Sequence, residues 1–205
     1  SIGRMDQDPD DAHEKIDPIL CYSTEGKEYP LASRDEMLGQ LTTLRKKFKT
    51  YDSYARATIK DILEPAQLAE TKKLRVTNVE SSLLENLGNR EFRLTPLPPE
   101  AQISGVNAIL TEDVDGDGFT DILLAGNFYP WRTQYGRSDA SLGLVLRNDG
   151  KGAFQPVRWG RSGFFATGDV RDMVWLRGTD AGSRIAIGRN NDAITLVEWV
   201  KKINH

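Results

Sequence analysis

The sequence predicts a mainly β fold with a helical segment placed ahead of the strands. Three observations carry that expectation. Between Ser33 and Lys72 apolar residues recur at helical spacing. After Lys73 they alternate instead, in short runs separated by Gly, Asn and Asp. The pattern Leu-x-Asn-x-Gly-x-x-x-Phe also occurs twice, at Leu84–Phe92 and Leu146–Phe154, offset by 62 residues, as expected of a repeated strand unit.

Residues 1–15 are polar and acidic, with Asp6, Asp8, Asp10, Asp11 and Glu14, and read as a mobile arm. Residues 16–72 form a second region, a small hairpin plus helices. The apolar runs Ile19–Tyr22 and Tyr29–Leu31 flank Ser23-Thr24-Glu25-Gly26-Lys27, a turn signal. Ser33 followed by Glu36 has the capping-box form, and Met37, Leu41, Leu44 and Phe48 then make one apolar stripe. Tyr51, Tyr54, Ala55, Ile59, Ile62 and Leu63 predict a second helix, which Pro65 breaks before a third, short one to about Lys72. Residues 73–205 form the β region. Its expected strands are Val76–Leu84, Phe92–Leu94, Val106–Leu110, Ile122–Ala125, Leu142–Leu146, Phe154–Val157, Val170–Leu176, Arg184–Ile187 and Ile194–Trp199. Short strands with regular turns suit sandwiches, barrels and propellers.

Bulk chemistry excludes several function classes. A net charge of −3 with scattered basic residues argues against a nucleic-acid partner. The cluster Arg45, Lys46, Lys47, Lys49 sits at the end of an expected helix, where cations suit the dipole. Cys21 is the single cysteine, so no intrachain disulfide forms, and its apolar setting reads as core. The two histidines, His13 and His205, lie in the acidic arm and at the last position, which leaves a cysteine or serine nucleophile without a base. No segment approaches the ~20 apolar residues of a membrane span.

The segment Asp113-Val114-Asp115-Gly116-Asp117-Gly118-Phe119-Thr120-Asp121 is the most informative stretch. Carboxylates at its first, third, fifth and ninth positions alternate with turn residues, and Gly118 stands where a sharp turn would bring the ligands round one point. Ca²⁺ takes six to eight hard oxygens at about 2.3–2.6 Å. Asp113, Asp115, Asp117 and Asp121 would supply side-chain oxygens and Phe119 its backbone carbonyl. The plainer reading is an acidic surface turn. Position 12 is Leu124 rather than Glu, and a strand follows rather than a helix, so the loop is not an EF-hand. Its affinity is expected at the weak end, around ~10⁻⁴–10⁻³ M, which suits stabilisation rather than sensing.

This run, followed by Ile122-Leu123 and Gly126-Asn127, resembles the FG-GAP or VCBS-type repeat of integrin-α-like β-propellers. The hairpin Leu146–Phe154 is similar to the one that closes such a blade. The resemblance covers about Ser81–Trp199. It implies four-stranded blades, calcium held by Asp113, Asp115, Asp117 and Asp121, and an extracellular, cell-surface or periplasmic location. The chain as a whole resembles the C-terminal portion of large Bacteroidetes surface proteins of this type. The implied fold is a partial propeller of fewer than three blades, preceded by two or three α-helices. The expected partners are then the rest of a larger propeller, or a second copy paired as a homodimer through open strand edges. Two features depart from the pattern: a third, partial copy starting at Gly168 has Leu176-Arg177-Gly178-Thr179-Asp180 in place of a calcium loop, and segment 33–72 lies outside the repeat.

A long loop, Asn127–Ser141, offers a second candidate site. Tyr129, Trp131, Arg132, Arg137 and Asp139 combine aromatic, cationic and acidic groups that suit a sugar ring or a protein partner; packing over the blade is the competing reading. The expected function is a non-catalytic, calcium-stabilised binding module whose ligand is a glycan or a protein. The alternatives are part of a propeller-based polysaccharide-degrading enzyme, which would need two carboxylates in a cleft, and a purely structural fragment.

Overall fold

The computed structural model describes residues 2–3, 17–131, 136–177 and 183–199. It divides at Asn78/Val79 into two units, Ser1–Asn78 and Val79–His205. Eleven strands form four antiparallel sheets, and a two-residue pair, Ile2–Gly3 (β1) with Asp17–Pro18 (β2), makes a fifth. The acidic residues of the expected arm lie outside the described residues. No closed barrel or propeller forms among the described residues.

In the first unit, Cys21–Thr24 (β3) and Lys27–Pro30 (β4) make the expected hairpin. Glu25 and Gly26 turn it with φ of 50° and 74°, the left-handed pair that matches the twist of a two-residue hairpin loop. The helices are shorter than the apolar stripes suggest. Arg34–Gln40 (α1) gives way at Leu41 to a 3₁₀ turn, Thr42–Arg45, and the second expected helix splits into Tyr51–Ala55 (α2) and Ile59–Ile62 (α3), followed by Pro65–Glu70 (α4). Repeated capping explains the fragmentation. The Glu36 carboxylate accepts the Ser33 N–H and hydroxyl, each at 2.7 Å. Asp61 takes those of Thr58 at 2.9 and 2.7 Å. The Ser53 hydroxyl and the Gln67 amide oxygen accept the backbone N–H groups of Thr50 and Glu64 at 3.3 and 2.9 Å. Each new cap starts a new turn. The core holds Ile19, Met37, Leu38, Leu44, Phe48, Tyr54, Ala57, Ile59, Ile62 and Leu63. Ala57 takes the inward position expected of Ala55, because the helix breaks at Arg56, and Tyr51 is exposed at the first turn of α2.

The second unit opens with a hairpin, Ser82–Gly88 (β5) and Glu91–Pro96 (β6). Residues 73–79, expected to be extended from Val76, carry no strand. Val106–Glu112 (β7), Asp121–Gly126 (β8), Leu144–Asn148 (β9) and Phe154–Val157 (β10) then form a four-stranded meander, in the order β10-β9-β8-β7. After the short helix Trp159–Ser162 (α5), the strands Val170–Arg177 (β11), Ser183–Arg189 (β12) and Thr195–Trp199 (β13) make a three-stranded meander. The departures at Leu176–Asp180 fall largely outside the described residues, which end at Arg177 and resume at Ser183.

The four-stranded sheet is apolar on both faces. On one, Ala108, Leu123, Ala125 and Val145 pack with Phe164, Val170, Met173, Ile185 and Ile187 from the following segments. On the other, Leu124 and Leu146 pack with Ala101 and the partly buried Leu97 and Phe154. Period-2 alternation places neighbours on opposite faces, so β8, buried on both, reads as a continuous aliphatic run. Each fully buried Leu or Ile contributes about 1.5–3 kcal/mol of burial. Gly126 ends β8 where the Gly105 carbonyl approaches; a Cβ there would lie 1.7 Å from that oxygen.

Candidate metal centre

The aspartate loop joins β7 to β8 and is fixed at several points. Val114 is buried in the main core of its unit, and its carbonyl accepts the Trp199 indole N–H at 3.4 Å. Asp121, fully buried, closes the loop: one carboxylate oxygen accepts the Val114 N–H at 3.1 Å and the other the Asn148 N–H at 2.8 Å. Asn148 also donates from its side-chain amide to the Thr120 carbonyl at 3.1 Å. The Phe119 ring lies over Gly150, whose added Cβ would meet it at 2.4 Å. The loop is thereby docked on the β9–β10 turn.

Within this frame Asp113, Asp115 and Asp117 bring one carboxylate oxygen each to within 4.8 Å of one another. Oxygens each about 2.4 Å from a common ion would be at most about 4.8 Å apart, so the donor set fits a hard cation. The loop's own amides hold the carboxylates in place. Asp113 accepts from Gly116 at 2.7 Å and Gly118 at 3.2 Å, Asp115 from the Asp117 N–H at 3.2 Å, and Asp117 from the Phe119 N–H at 2.9 Å. Gly116 and Gly118 have φ of 83° and 91°, a left-handed backbone that suits glycine. Arg147 stands 3.6 Å from Asp115.

Asp121 stands apart from this cluster. Both of its oxygens are engaged by backbone N–H groups, a structural task that spacing alone does not disclose. Burial pushes its carboxyl above the usual carboxylate range; the Asn148 and Val114 N–H groups oppose that shift, and the charges of Asp115 and Asp117 add to it.

The second candidate site lies beyond the other end of β8, roughly 20 Å away along a six-residue strand. Phe128 and Ser138 bridge the base of the loop, with N···O distances of 2.9 and 3.0 Å. The Tyr129 hydroxyl donates to Asp139 at 2.8 Å, and the Arg137 guanidinium lies over the Tyr129 ring at 4.9 Å. This hydrogen bond to Asp139 raises the Tyr129 phenol above its ordinary value. Trp131 is half-exposed and meets Phe128 edge-on at 5.9 Å. Arg132 lies outside the described residues.

The organising residue here is Asn127, fully buried with φ of 90°. Its amide oxygen accepts from the Ser141 N–H at 2.9 Å and the Ser104 hydroxyl at 2.8 Å; its amide nitrogen donates to the Ser141 and Gly168 carbonyls at 2.9 and 3.1 Å. Arg171 extends the patch, with its guanidinium 5.4 Å from the Phe128 ring centre and 2.8 Å from the buried Asp169. Asn127 does not stand out as a site residue by spacing; its only sequence signal is Gly126-Asn127 directly after an apolar strand, whereas Arg171-Asp172 is legible in the sequence as a candidate for the same face, with turn residues the competing reading.

No protein-family model, curated protein or solved structure matches the chain. Among the described residues no helix is long and apolar enough to cross a membrane.

Proposed function

We propose that this chain is a non-catalytic, calcium-stabilised binding module of an extracellular, cell-surface or periplasmic protein of the FG-GAP/VCBS kind. The observation that carries the reading is the convergence of three carboxylates on a loop whose backbone is fixed from both sides. All-oxygen donors without His or Cys favour Ca²⁺ over Zn²⁺ or copper. Like charges held together repel, so a cation that binds only the folded loop stabilises it. The ligand, a glycan or a protein, would meet Tyr129, Trp131, Arg137 and Asp139, with Arg171 beside them.

Calorimetric melting with increasing Ca²⁺ tests the metal. The parent should gain about 2.7 kcal/mol at a hundredfold excess over Kd, and Asp115→Ala should lose that response. Asp115 is the better probe because its carboxylate holds one loop amide, at 3.2 Å, whereas Asp113 holds two. An identical Ca²⁺ response in both proteins would defeat the assignment. A glycan array read with and without EDTA tests the ligand class.

A further inference from the structure

From Gly150 to Gly168 the chain carries Lys151, Arg158 and Arg161 and no acidic residue, in a protein of net charge −3. The middle of that stretch holds two aromatic rings out to solvent on a fixed backbone. The turn of α5 closes through the Gly163 N–H, which donates to the Trp159 carbonyl at 2.9 Å, and Gly163 caps it with a φ of 68°. Phe164 and Ala166, on either side of Phe165, are fully buried. The Phe164 ring lies 6.2 Å from that of Trp199, and the Ala166 N–H donates to the Leu142 carbonyl at 2.8 Å. Anchored on both sides, Phe165 is turned outward. Trp159 and Phe165 are 60% and 50% exposed, with ring centres 6.3 Å apart and planes at 61°.

Arg158 and Arg161 stand on either side of Trp159 and are exposed. Among the described residues neither guanidinium has an ion-pair or hydrogen-bond partner. A charge that no carboxylate of the protein answers is open to one from outside. The glycines leave room around the rings: a Cβ at Gly160 or Gly163 would meet nothing within 4 Å. Hot spots of protein interfaces sit in packed pockets ringed by contacts that exclude water, and this platform is open. Residues 158–165 contain no Leu, Ile, Val or Met, whereas segments that enter a lipid surface combine Trp or Phe with Leu. Open aromatic faces beside free guanidinium groups suit sugar rings that carry acids.

We propose that Trp159, Phe165, Arg158 and Arg161 form a binding site for an acidic polysaccharide built of uronate units. A uronate bears its carboxylate directly on the sugar ring. A unit stacked on Trp159 therefore brings a planar two-oxygen acceptor beside a planar guanidinium fork. The next units carry further carboxylates along the chain, which gives the second arginine a partner. The site is separate from Tyr129, Trp131, Arg137 and Asp139, and it depends neither on that patch nor on metal binding.

The probe is polygalacturonate fragments, titrated into the full chain by calorimetry and run against it in affinity electrophoresis. EDTA is present throughout, so that calcium bridging between carboxylates plays no part. Binding should saturate and should weaken as salt rises. Trp159→Ala should weaken it about tenfold, and so should Arg158→Gln combined with Arg161→Gln. Trp131→Ala, in the separate patch, should leave it unchanged. All these side chains are exposed, so urea midpoints read by the remaining tryptophans should match the parent. Fragments with their carboxylates reduced to alcohols should bind about tenfold more weakly. Equal affinity for the reduced fragments would overturn the proposal, as would no binding by either method at millimolar uronate. Binding lost in Trp131→Ala and kept in Trp159→Ala would also overturn it, and would place the sugar on the long loop instead. So would Trp159-dependent binding to anionic vesicles or to a single-stranded oligonucleotide that exceeds binding to polygalacturonate.

Discussion

Replacing Asp121 with Asn keeps the side chain's shape and removes one of its two acceptors. The carboxylate holds the Val114 N–H at 3.1 Å and the Asn148 N–H at 2.8 Å in a site without solvent. An amide serves one of them and turns its NH₂ toward the other. The unserved N–H costs about 1–3 kcal/mol, and the surviving bond loses its charge assistance. Part of this is returned, because burial already disfavours the charged form of Asp121. The net loss is about 2 kcal/mol, and about 3–4 kcal/mol for Asp121→Ala, which strands both donors. All four tryptophans, Trp131, Trp159, Trp175 and Trp199, lie in the second unit, so their fluorescence reports its unfolding alone. In urea with EDTA, Asp121→Asn should lower the midpoint by about 1 M, for a slope on the order of 1.5–2 kcal/mol per M. Asp115→Asn in the same buffer should be neutral or mildly stabilising, because it relieves repulsion in the cluster. Equal midpoints for the parent and Asp121→Asn would refute the closing role and leave Asp121 with nothing but a ligand's task.

Two further outcomes follow from the geometry. Gly126→Ala places a Cβ 1.7 Å from the Gly105 oxygen and 2.7 Å from its carbon; backbone must move, and the second unit should lose more than about 3 kcal/mol, read by the same fluorescence. In the first unit, burial pushes the Tyr54 phenol up to about 12, and its hydroxyl donates to the Ala32 carbonyl at 2.9 Å. A raised acid pKa stabilises the fold fully below about pH 10, the unfolded value, and that stability is lost as pH rises toward about 12. Tyr54→Phe should cost about 1 kcal/mol at neutral pH and lack that part of the alkaline decline, as followed by amide exchange across residues 33–63.

What could be read from the sequence was what local pattern determines. The strands Val106–Glu112, Asp121–Gly126 and Phe154–Val157 fall within two residues of expectation, because alternation and turn residues act over a few positions. The helices divide for an equally local reason that the apolar stripe conceals: Thr50, Thr58 and Glu64 each begin a turn of their own. The clustering of Asp113, Asp115 and Asp117 follows from their spacing. The task of Asp121 does not, since one of its partners, Asn148, is 27 residues away. Asn127 is hidden for the same reason: it gathers Ser104, Ser141 and Gly168 from three separate segments.

β8 connects the two candidate sites, and its surroundings decide what it can transmit. It is laddered on both sides, to β7 and β9, and Leu123, Leu124 and Ala125 are buried on alternating faces. A strand held this way moves along its axis only in whole register steps, and a single step would exchange its aliphatic side chains between the two packed faces and force both to repack. A push at the aspartate end is therefore absorbed by the ladders and does not arrive at Asn127. The coupling free energy between the two ends should be close to zero. Under the proposed function, Ca²⁺ would govern how long the fold survives and would leave binding at the far end unchanged.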